Sequence, residues 1–363
     1  MPPLRMAVIG VGHLGQAHAR ILAAMPDVEL VGVADVSAAQ AGLVAERHGC
    51  RAYTHYGPLL DQVDAATIVA PTCHHHSIAS AFLDRGVPLL VEKPLAPTLE
   101  QADDLVRLAR LRGTVLQVGH VERFNPAFEE LCGRPIRPKF VECERHGPFT
   151  GRSTDIGAVL DLMVHDLDLL NALDGSAAVG VEAMGITVFG GHEDLVNARL
   201  TFASGCVAHV TASRVAPFPK RRMRIWAPEG YAGLDFMLGR LVLVQPTDEL
   251  RRHGLSVTNF DPARRDALKN EIFGRHLAVR EQTCTAASDA LTRELGQFVQ
   301  CVRTGSRPRV SGEDGRAAVA LACRILDSVA NHQWEGRHDG PTGPSNMPAP
   351  LGRLIDRDER AAA

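Results

Sequence analysis

The chain has 363 residues, with 39 Lys and Arg against 42 Asp and Glu, which gives a formal net charge of -3. This length predicts two domains, and 45% apolar with 22% charged residues is ordinary for a globular protein. The charge excludes the basic signature of nucleic-acid or polybasic membrane binding, and no apolar run is long enough to span a bilayer. We expect no signal peptide. The eight cysteines form no Cys-x-x-Cys pair, so we expect reduced thiols in a cytoplasmic protein.

The first 126 residues are predicted to form one domain in which strands and helices alternate. The predicted strands are 4–10, 28–35, a short one beginning at 53, 65–70, 89–92 and 115–119, and the predicted helices are 13–24, 37–48, 75–85 and 99–112. Ser37 and Thr98 are expected to cap two of these helices. Alternation at this spacing predicts an α/β fold with a parallel sheet and helices on both of its faces.

A second, α+β domain is predicted for residues 127–333. Its predicted strands are 139–145, 179–188, 197–202, 206–214, 221–227 and 241–245, and its predicted helices are 127–133, about 156–171, 286–303 and 313–331. Turns between successive strands predict a mainly antiparallel sheet, and we expect the last helices to pack back on the first domain. Residues 246–283 give no clear prediction. Residues 334–363 are rich in glycine, proline and charge and are predicted to be a flexible tail.

A lysine follows closely after a predicted buried strand. The apolar run 89–91 is typical of a strand covered on both faces, and Lys93 comes two residues later, with Pro94 ending the strand. Open α/β sheets bind ligands at the carboxyl ends of their strands, so the Lys93 ammonium is a candidate for contact with a substrate. The alternative is a lysine that extends into solvent at a strand end.

Residues 10–15 read Gly-Val-Gly-His-Leu-Gly, the G-x-G-x-x-G pattern of a dinucleotide-binding loop in a Rossmann domain. Gly10 permits the tight turn, Gly12 lets the backbone approach a pyrophosphate, and Gly15 lets the helix pack closely on the strand. Asp35 ends the next strand, where its carboxylate would bind the ribose hydroxyls and repel a 2′-phosphate. No arginine follows Asp35, so NAD is favoured over NADP. The alternative is a glycine-rich turn without a ligand.

Residues 73–76 read Cys-His-His-His, which are residue types that bind metals. Consecutive residues of a strand or helix point in different directions, so we expect no metal site here. The run follows the predicted strand 65–70, at the edge of the sheet where a loop would pass the nicotinamide ribose. We therefore expect cofactor contacts from Pro71 and Thr72, with His75 capping the next helix.

A candidate acid–base group lies in the predicted helix 156–171. Asp161, His165 and Asp168 stand at positions i, i+4 and i+7, which share one face of an α-helix. A carboxylate one turn from an imidazole can orient it and hold its tautomer. The alternatives are a merely solvated polar face and a His–Asp pair that stabilises the fold.

These motifs together resemble the glucose–fructose oxidoreductase / inositol dehydrogenase / MocA (Gfo/Idh/MocA) family over about residues 4–331. The resemblance rests on the glycine loop, Pro71-Thr-x-x-His75, Glu92-Lys93-Pro94, Gly119-His-Val-Glu-Arg123-Phe-Asn-Pro126, Asp161-x-x-x-His165 and the segment 307–316, in that order. Thr72 and Glu122 depart from the residues that the family often has at these positions. Glu122 is therefore expected to change the charge near the substrate.

The resemblance implies an NAD(P)-dependent dehydrogenase acting on a secondary hydroxyl group. It implies that Lys93, His165 and Asp161 are catalytic, and that the second sheet has an open face through which a homodimer or homotetramer forms. The substrate-binding residues implied are Lys93, Arg123, Asn125, Asp161 and His165. The cofactor-binding residues expected are Gly10, Gly12, His13, Leu14, Gly15, Asp35, Pro71, Thr72, His75, Glu92 and Lys93.

Within the family, the motifs are most similar to those of members that oxidise UDP-N-acetylglucosamine at C3. The resemblance thus implies that NAD accepts a hydride from a ring carbon of a sugar nucleotide. A polyol or free-sugar dehydrogenase, such as one acting on inositol, is the alternative, and a non-catalytic NAD-binding sensor is a third. Arg123 and the basic run 220–222 are candidates for a diphosphate, although such a run is also typical of a solvated strand end.

Overall fold

The computed structural model describes residues 2–151, 155–258, 260–335, 337 and 339–347. Its first sheet has six parallel strands in the order β3-β2-β1-β4-β5-β6. The strands are β1 (Leu4–Ile9), β2 (Val28–Ala34), β3 (Arg51–Tyr53), β4 (Ala65–Ile68), β5 (Leu89–Glu92) and β6 (Leu116–Gly119). This order is that of a dinucleotide-binding sheet, and the strand order reverses between β1 and β4, where such sheets bind their ligand.

Four helices cover the two faces of this sheet, as the alternating pattern predicted. They are α1 (His13–Ala24), α2 (Ala38–His48), α3 (His75–Leu83) and α4 (Leu99–Arg112). The Ser37 hydroxyl accepts a hydrogen bond from the amide of Gln40, and the Thr98 hydroxyl accepts one from Gln101, so both predicted caps are confirmed. Every residue of β4, β5 and β6 is buried, because apolar clusters pack on both sides of these strands.

The second sheet has eight strands in the order β14-β13-β12-β11-β7-β10-β9-β8. They are β7 (Phe140–His146), β8 (Ala178–Ile186), β9 (Leu195–Phe202), β10 (Val207–Ser213), β11 (Lys220–Ala227), β12 (Gly230–Asp235), β13 (Arg240–Pro246) and β14 (Leu277–Thr283). All neighbours are antiparallel except β7 and β10, so the prediction of a mainly antiparallel sheet is confirmed. Strands β12 and β14 were not predicted, since β12 contains two glycines and β14 is a largely exposed edge strand.

Six further helices accompany this sheet. They are α5 (Pro126–Cys132), α6 (Val164–Asp174), α7 (Asp248–His253), α8 (Pro262–Glu271), α9 (Ala290–Thr304) and α10 (Gly312–Ala330). A π-helical turn, Val159–Met163, leads directly into α6. Helix α10 packs against α6, β8 and α4, and α9 packs against α1, so the last two helices contact both parts of the chain. The large apolar core of the second part lies between its sheet and the helices α6 and α10.

The described part of the predicted tail makes specific contacts. The amide of Thr187, just after β8, donates to the carbonyl of Pro344 at 2.9 Å, and the Trp334 indole donates to Gly343 at 2.8 Å. Residues 343 and 344 are therefore held beside the sheet, while residues 348–363 lie outside the described residues. All eight cysteines are free thiols. Among the residues described, no helix has the length and apolarity needed to cross a bilayer.

Candidate active site

The loop between β1 and α1 has the geometry of a phosphate-binding turn. Gly10 has a φ of 88°, and a Cβ there would lie 2.6 Å from the carbonyl oxygen of Val69. A Cβ on Gly15 would collide with the carbonyl of Gly10, so close packing of helix and strand requires this glycine. A Cβ on Gly12 would meet no heavy atom within 4 Å. Gly12 thus faces open space at the N-terminus of α1, where a pyrophosphate fits.

Asp35 lies at the end of β2, beside this loop. Its two carboxylate oxygens accept hydrogen bonds from the amides of Val11 and Ser37, each at 2.9 Å. A cleft of about 290 Å³ opens next to it, and the lining includes Gly10, Asp35, Thr54, Tyr56 and Pro71. The carboxylate is held in place by backbone and keeps free lone pairs for ribose hydroxyls, so these residues fit the adenosine half of NAD.

The histidines that follow β4 have separate roles. His75 is buried, and its two ring nitrogens lie 2.8 Å from the carbonyl of Pro94 and 2.9 Å from that of Ala70. The predicted capping role is therefore wrong, because the ring bridges the ends of β4 and β5 instead. His76 pairs with Asp104 at 2.9 Å. Within the described residues, no group of three His, Cys, Asp or Glu side chains converges as metal ligands do.

Lys93 reaches from the end of β5 to the π-helical turn of the second part. Its Nζ donates to the backbone carbonyl of Asp161 at 2.6 Å and to the Asp161 carboxylate at 3.1 Å. The Lys93 side chain is 17% exposed and that of Asp161 is 22% exposed. The peptide bond from Lys93 to Pro94 is cis. The ammonium is thus held against the helix that carries His165 and does not extend freely into solvent.

The surroundings of His165 favour its neutral imidazole form. Burial lowers its pKa well below the ordinary value, and the charges of Lys93, Arg145 and Arg221 lower it further. The ring packs edge-to-face on buried His120, with 6.2 Å between centroids. A neutral imidazole can accept a proton, as a general base must.

The predicted orientation of His165 by Asp161 does not occur. Asp161 lies in the π-helical turn, where the i, i+4 spacing of an α-helix does not hold, and its carboxylate bonds to Lys93. Among the residues described, the Nδ1 atom of His165 has no hydrogen-bond partner. Asp168, the third member of the predicted face, pairs with Arg123 and not with the imidazole.

The predicted substrate residues Arg123 and Asn125 are engaged within the protein. Arg123 Nε lies 3.2 Å from Asp168 Oδ2, and burial raises the pKa of Asp168 to about 7 although Arg123 opposes this. The Asn125 amide donates to Glu122 and to the carbonyl of Phe236, and its oxygen caps α5. These contacts hold the segment after β6, and they do not favour a substrate contact for either residue.

The basic run at the start of β11 forms ion pairs across the sheet. Lys220 pairs with Glu144 at 2.7 Å, and Arg222 pairs with Asp235 at 3.2 Å. Arg221 lies 3.8 Å from a carboxylate oxygen of Glu122. The run is therefore largely neutralised by neighbouring carboxylates, which neither the diphosphate site nor the solvated strand end had predicted.

Glu92, the residue before Lys93, makes two contacts within the protein. Its carboxylate lies 3.1 Å from the Nε2 atom of His18 and accepts from the amide of Lys93. Glu294 on α9 is fully buried, and neither of its carboxylate oxygens has a hydrogen-bond partner among the described residues. Burial, followed by the nearby charges of Glu92 and Asp168, raises the pKa of Glu294 well above its usual range. The Glu92 carboxylate is thus buried between His18 and the amide of Lys93, and its contact with a cofactor stays a prediction.

Sequence reasoning missed a buried ion network beside His165. The guanidinium of Arg145 bonds to both carboxylate oxygens of Asp166 and to Glu122. Glu122 was predicted to change the charge near the substrate, but Arg145 compensates that charge. The alternation of residues along β7 could have indicated this network, because Val141, Cys143 and Arg145 all point to the buried side of the strand. An arginine on the inward face of a strand requires a buried partner.

The glycine loop, the carboxylate after β2 and the lysine after β5 define an NAD-binding oxidoreductase of the Rossmann class. Residues 4–120 match the oxidoreductase family with an NAD-binding Rossmann fold, and residues 133–232 match the GFO/IDH/MocA C-terminal domain. The chain belongs to the Gfo/Idh/MocA oxidoreductase family, and the resemblance of its motifs is confirmed.

Known relatives align with both parts of the chain. UDP-N-acetylglucosamine 3-dehydrogenase of Acidithiobacillus ferrooxidans is 36% identical over 327 residues, which are 90% of this chain and 97% of that protein. A solved structure of the same enzyme aligns with a TM-score of 0.78 at 35% identity and covers 91% of this chain and 98% of that one. The scyllo-inositol 2-dehydrogenase (NAD(+)) of Bacillus subtilis is 26% identical, over 90% of this chain and 94% of that protein.

Proposed function

We propose that this protein is an NAD-dependent dehydrogenase that oxidises the C3 hydroxyl of a UDP-N-acetylglucosamine-type sugar nucleotide. The observation that carries the proposal is the bond from Lys93 to Asp161, which brings the strand-end ammonium to the helix of neutral His165. The 36% identity to a UDP-N-acetylglucosamine 3-dehydrogenase supports the substrate and the ring position. The cleft at Asp35 supports NAD over NADP, because a carboxylate there repels a 2′-phosphate.

His165 and Lys93 divide the proton chemistry between them. His165 accepts the proton of the reacting hydroxyl, and the Lys93 ammonium stabilises the negative charge that develops on the oxygen. Asp161 holds Lys93 in position through two hydrogen bonds. NAD held at Gly12 and Asp35 would supply the acceptor for the hydride of the ring carbon, whose C–O bond would become a carbonyl. The imidazole must be neutral at the start of this cycle, and its lowered pKa keeps it so.

A polyol dehydrogenase is the second candidate. The cations first considered for a diphosphate, Arg123, Lys220 and Arg222, each pair with a carboxylate of the chain. A free polyol needs no diphosphate contact, and an NAD-dependent inositol dehydrogenase is a relative at 26% identity. Both candidates use the same catalytic residues.

A substrate screen separates the two candidates. NADH absorbance is followed with UDP-N-acetylglucosamine, free N-acetylglucosamine, myo-inositol and scyllo-inositol. The proposal requires turnover of the sugar nucleotide, with a 3-keto product identified by NMR. Turnover of free polyols alone would reject it in favour of the second candidate. Tight NAD binding without hydride transfer to any substrate would indicate a sensor.

We also propose that the open face of the second sheet joins two copies of the chain. Phe140, Trp226 and Tyr231 form an aromatic cluster on β7, β11 and β12, with ring centroids 5.3 Å apart in each neighbouring pair. Trp226 is 37% exposed, so this aromatic cluster reaches the surface of the sheet, where a second copy could cover it. Light scattering of the wild type and of Trp226→Glu tests this: the variant should have a lower mass.

A further inference from the structure

A buried ion network lies directly beside His165. We call Arg145, Glu122 and Asp166 the Arg145 network. Arg145 Nε and one terminal nitrogen bond to the two Asp166 oxygens at 3.0 and 2.9 Å, and its other terminal nitrogen bonds to Glu122 at 2.8 Å. The side chains of Arg145 and Asp166 are 3% and 2% exposed. The planar guanidinium thus makes a two-pronged contact that a lysine could not reproduce.

The network connects three elements that meet at the site. Glu122 lies in the turn after β6 of the first sheet, Arg145 lies on β7 of the second, and Asp166 lies on α6 immediately after His165. The Lys93 bond to Asp161 forms a second link between the first sheet and the same helical segment. His165 therefore lies four residues after Asp161, which Lys93 holds, and one residue before Asp166, which Arg145 holds.

The energetics of burial point to a role beyond stability. Removing charges from water is costly, and replacing a buried ion network by apolar side chains often leaves a protein equally stable or more so. What the ions supply here is a fixed geometry, because the planar guanidinium meets the Asp166 carboxylate through two hydrogen bonds at once. In this protein, the element held in a fixed position is helix α6, which carries His165.

We propose that Arg145 is a positioning residue of the reaction, holding His165 in register with Lys93 through Asp166 and Glu122. The inference rests on the proposed function, in which His165 accepts the proton. Among the described residues, Arg145 forms no hydrogen bond with His165 or with Lys93. Its effect on turnover is therefore carried by the backbone of α6 and by the electrostatic field at the imidazole.

The charge of Arg145 also adds to the field at His165. The groups whose charges act on the imidazole are Lys93 after β5, His120 after β6, Arg145 on β7 and Arg221 on β11. Asp161 and Asp166 lie on the same helical segment as His165. Removal of the Arg145 charge would take away one of the cations that disfavour the protonated imidazole. The pKa of His165 would then rise, and the acid limb of the rate profile would move to higher pH.

Two substitutions separate geometry from charge. Arg145→Lys keeps the positive charge but loses the two-pronged contact with Asp166. We expect kcat to fall by about 10²-fold, as for a displacement of about 1 Å at the reacting centre. The acid limb of the pH–rate profile should stay where it is in the wild type. Arg145→Met loses both, so the same fall should be accompanied by an upward move of the acid limb of about one pH unit. The Kd for NAD should stay unchanged in both variants.

Arg303→Lys is the control. Arg303 on α9 is 15% exposed, and its guanidinium donates to the carbonyl of Asp27 at 2.6 Å and lies 3.3 Å from the Asp27 carboxylate. Asp27 precedes β2 at the amino end of the first sheet, away from Lys93, so this substitution should lower Tm while leaving kcat and the acid limb unchanged. If Arg145→Lys does not fold, Asp166→Asn, which preserves the side-chain shape, takes its place with the same expected fall in kcat.

The decisive comparison includes His165→Asn. If that variant loses turnover while Arg145→Lys, or Asp166→Asn in its place, keeps kcat within twofold of the wild type, the inference is overturned and the proposed function stands. If His165→Asn itself retains normal turnover, the proposed base is wrong. A fall in kcat for Arg303→Lys equal to that for Arg145→Lys would also reject the positioning role, because the loss of any largely buried arginine would then have the same effect.

Discussion

The Nζ atom of Lys93 donates to both the backbone carbonyl and the carboxylate of Asp161, at 2.6 and 3.1 Å. This contact joins the carboxyl end of β5 to the helical segment of His165. It explains why a lysine at a strand end is kept from free solvent, and it gives Asp161 a different partner from the one that sequence spacing suggested.

Asp161→Asn should lower kcat by about 10- to 10²-fold, because Lys93 loses its ionic partner and only the carbonyl bond still directs the ammonium. The Kd for NAD should not change, since Asp161 lies outside the cofactor loop. Steady-state kinetics and calorimetric NAD binding measure the two effects. Asp104→Asn, which removes a carboxylate paired with His76 and Arg107 on α4, is the control and should keep normal kcat. An unchanged kcat in Asp161→Asn would show that the Lys93 contact has no part in turnover.

The pH profile of kcat/KM should have its acid limb below about pH 6.5, the pKa of an ordinary imidazole. Burial and the neighbouring cations lower the pKa of His165, so the neutral base persists as the pH falls through that value and is lost only at lower pH. The rate with saturating NAD is measured across the acid range in buffers of constant ionic strength. A limb centred at pH 6.5 or above would contradict a depressed pKa.

Glu294→Gln should stabilise the protein at alkaline pH. The folded state raises the pKa of Glu294, so between its unfolded and folded pKa values the folded protein binds more protons and loses stability as the pH rises. The amide removes this penalty, and Tm near pH 8 should increase by about 2–4 °C, the shift expected for about 1 kcal/mol in a domain of this size. The gain should shrink on acidification. Exposed Glu46→Gln should leave Tm unchanged, and a lower Tm for Glu294→Gln at pH 8 would refute the explanation.

Substitutions of Gly12 and Gly15 in the cofactor loop should have different effects on NAD binding and on thermal stability. Gly12→Ala adds a methyl group where the structure is open, so Tm should stay within about 1 °C while NAD binding weakens by at least about tenfold. Gly15→Ala places a methyl group against the carbonyl of Gly10, so the first domain should lose stability outright. Thermal unfolding and NAD titration distinguish the two. Equal loss of Tm in both variants would be inconsistent with this geometry.

Features that depend on neighbouring residues in the chain could be predicted from the sequence. The alternation of strands and helices, the caps Ser37 and Thr98, and the glycine loop all rest on local patterns, and the structure has each of them. The turns between successive strand-like segments predicted the mainly antiparallel sheet of the second part, which the structure also has. Edge strand β14 was not predicted from the sequence, because an exposed edge strand shows little hydrophobic pattern.

Features that depend on distant residues could not be predicted. The spacing of Asp161 and His165 suggested a pair on one α-helical face, but a π-helical turn intervenes and Lys93, 68 residues away, takes the carboxylate. Arg123 suited a diphosphate by residue type, yet buried Asp168 neutralises it. Partner choice among charged side chains is decided by tertiary proximity, which a single sequence does not reveal.

The central claim is that Lys93 and His165 act together on one hydroxyl group. The most direct test is the single-turnover rate of NADH formation from UDP-N-acetylglucosamine in Lys93→Met and His165→Asn, with NAD affinity measured on the same samples. Each variant should lose about 10²–10⁴-fold in rate while binding NAD as the wild type does. Near-normal rates in both variants, with NAD bound, would contradict it.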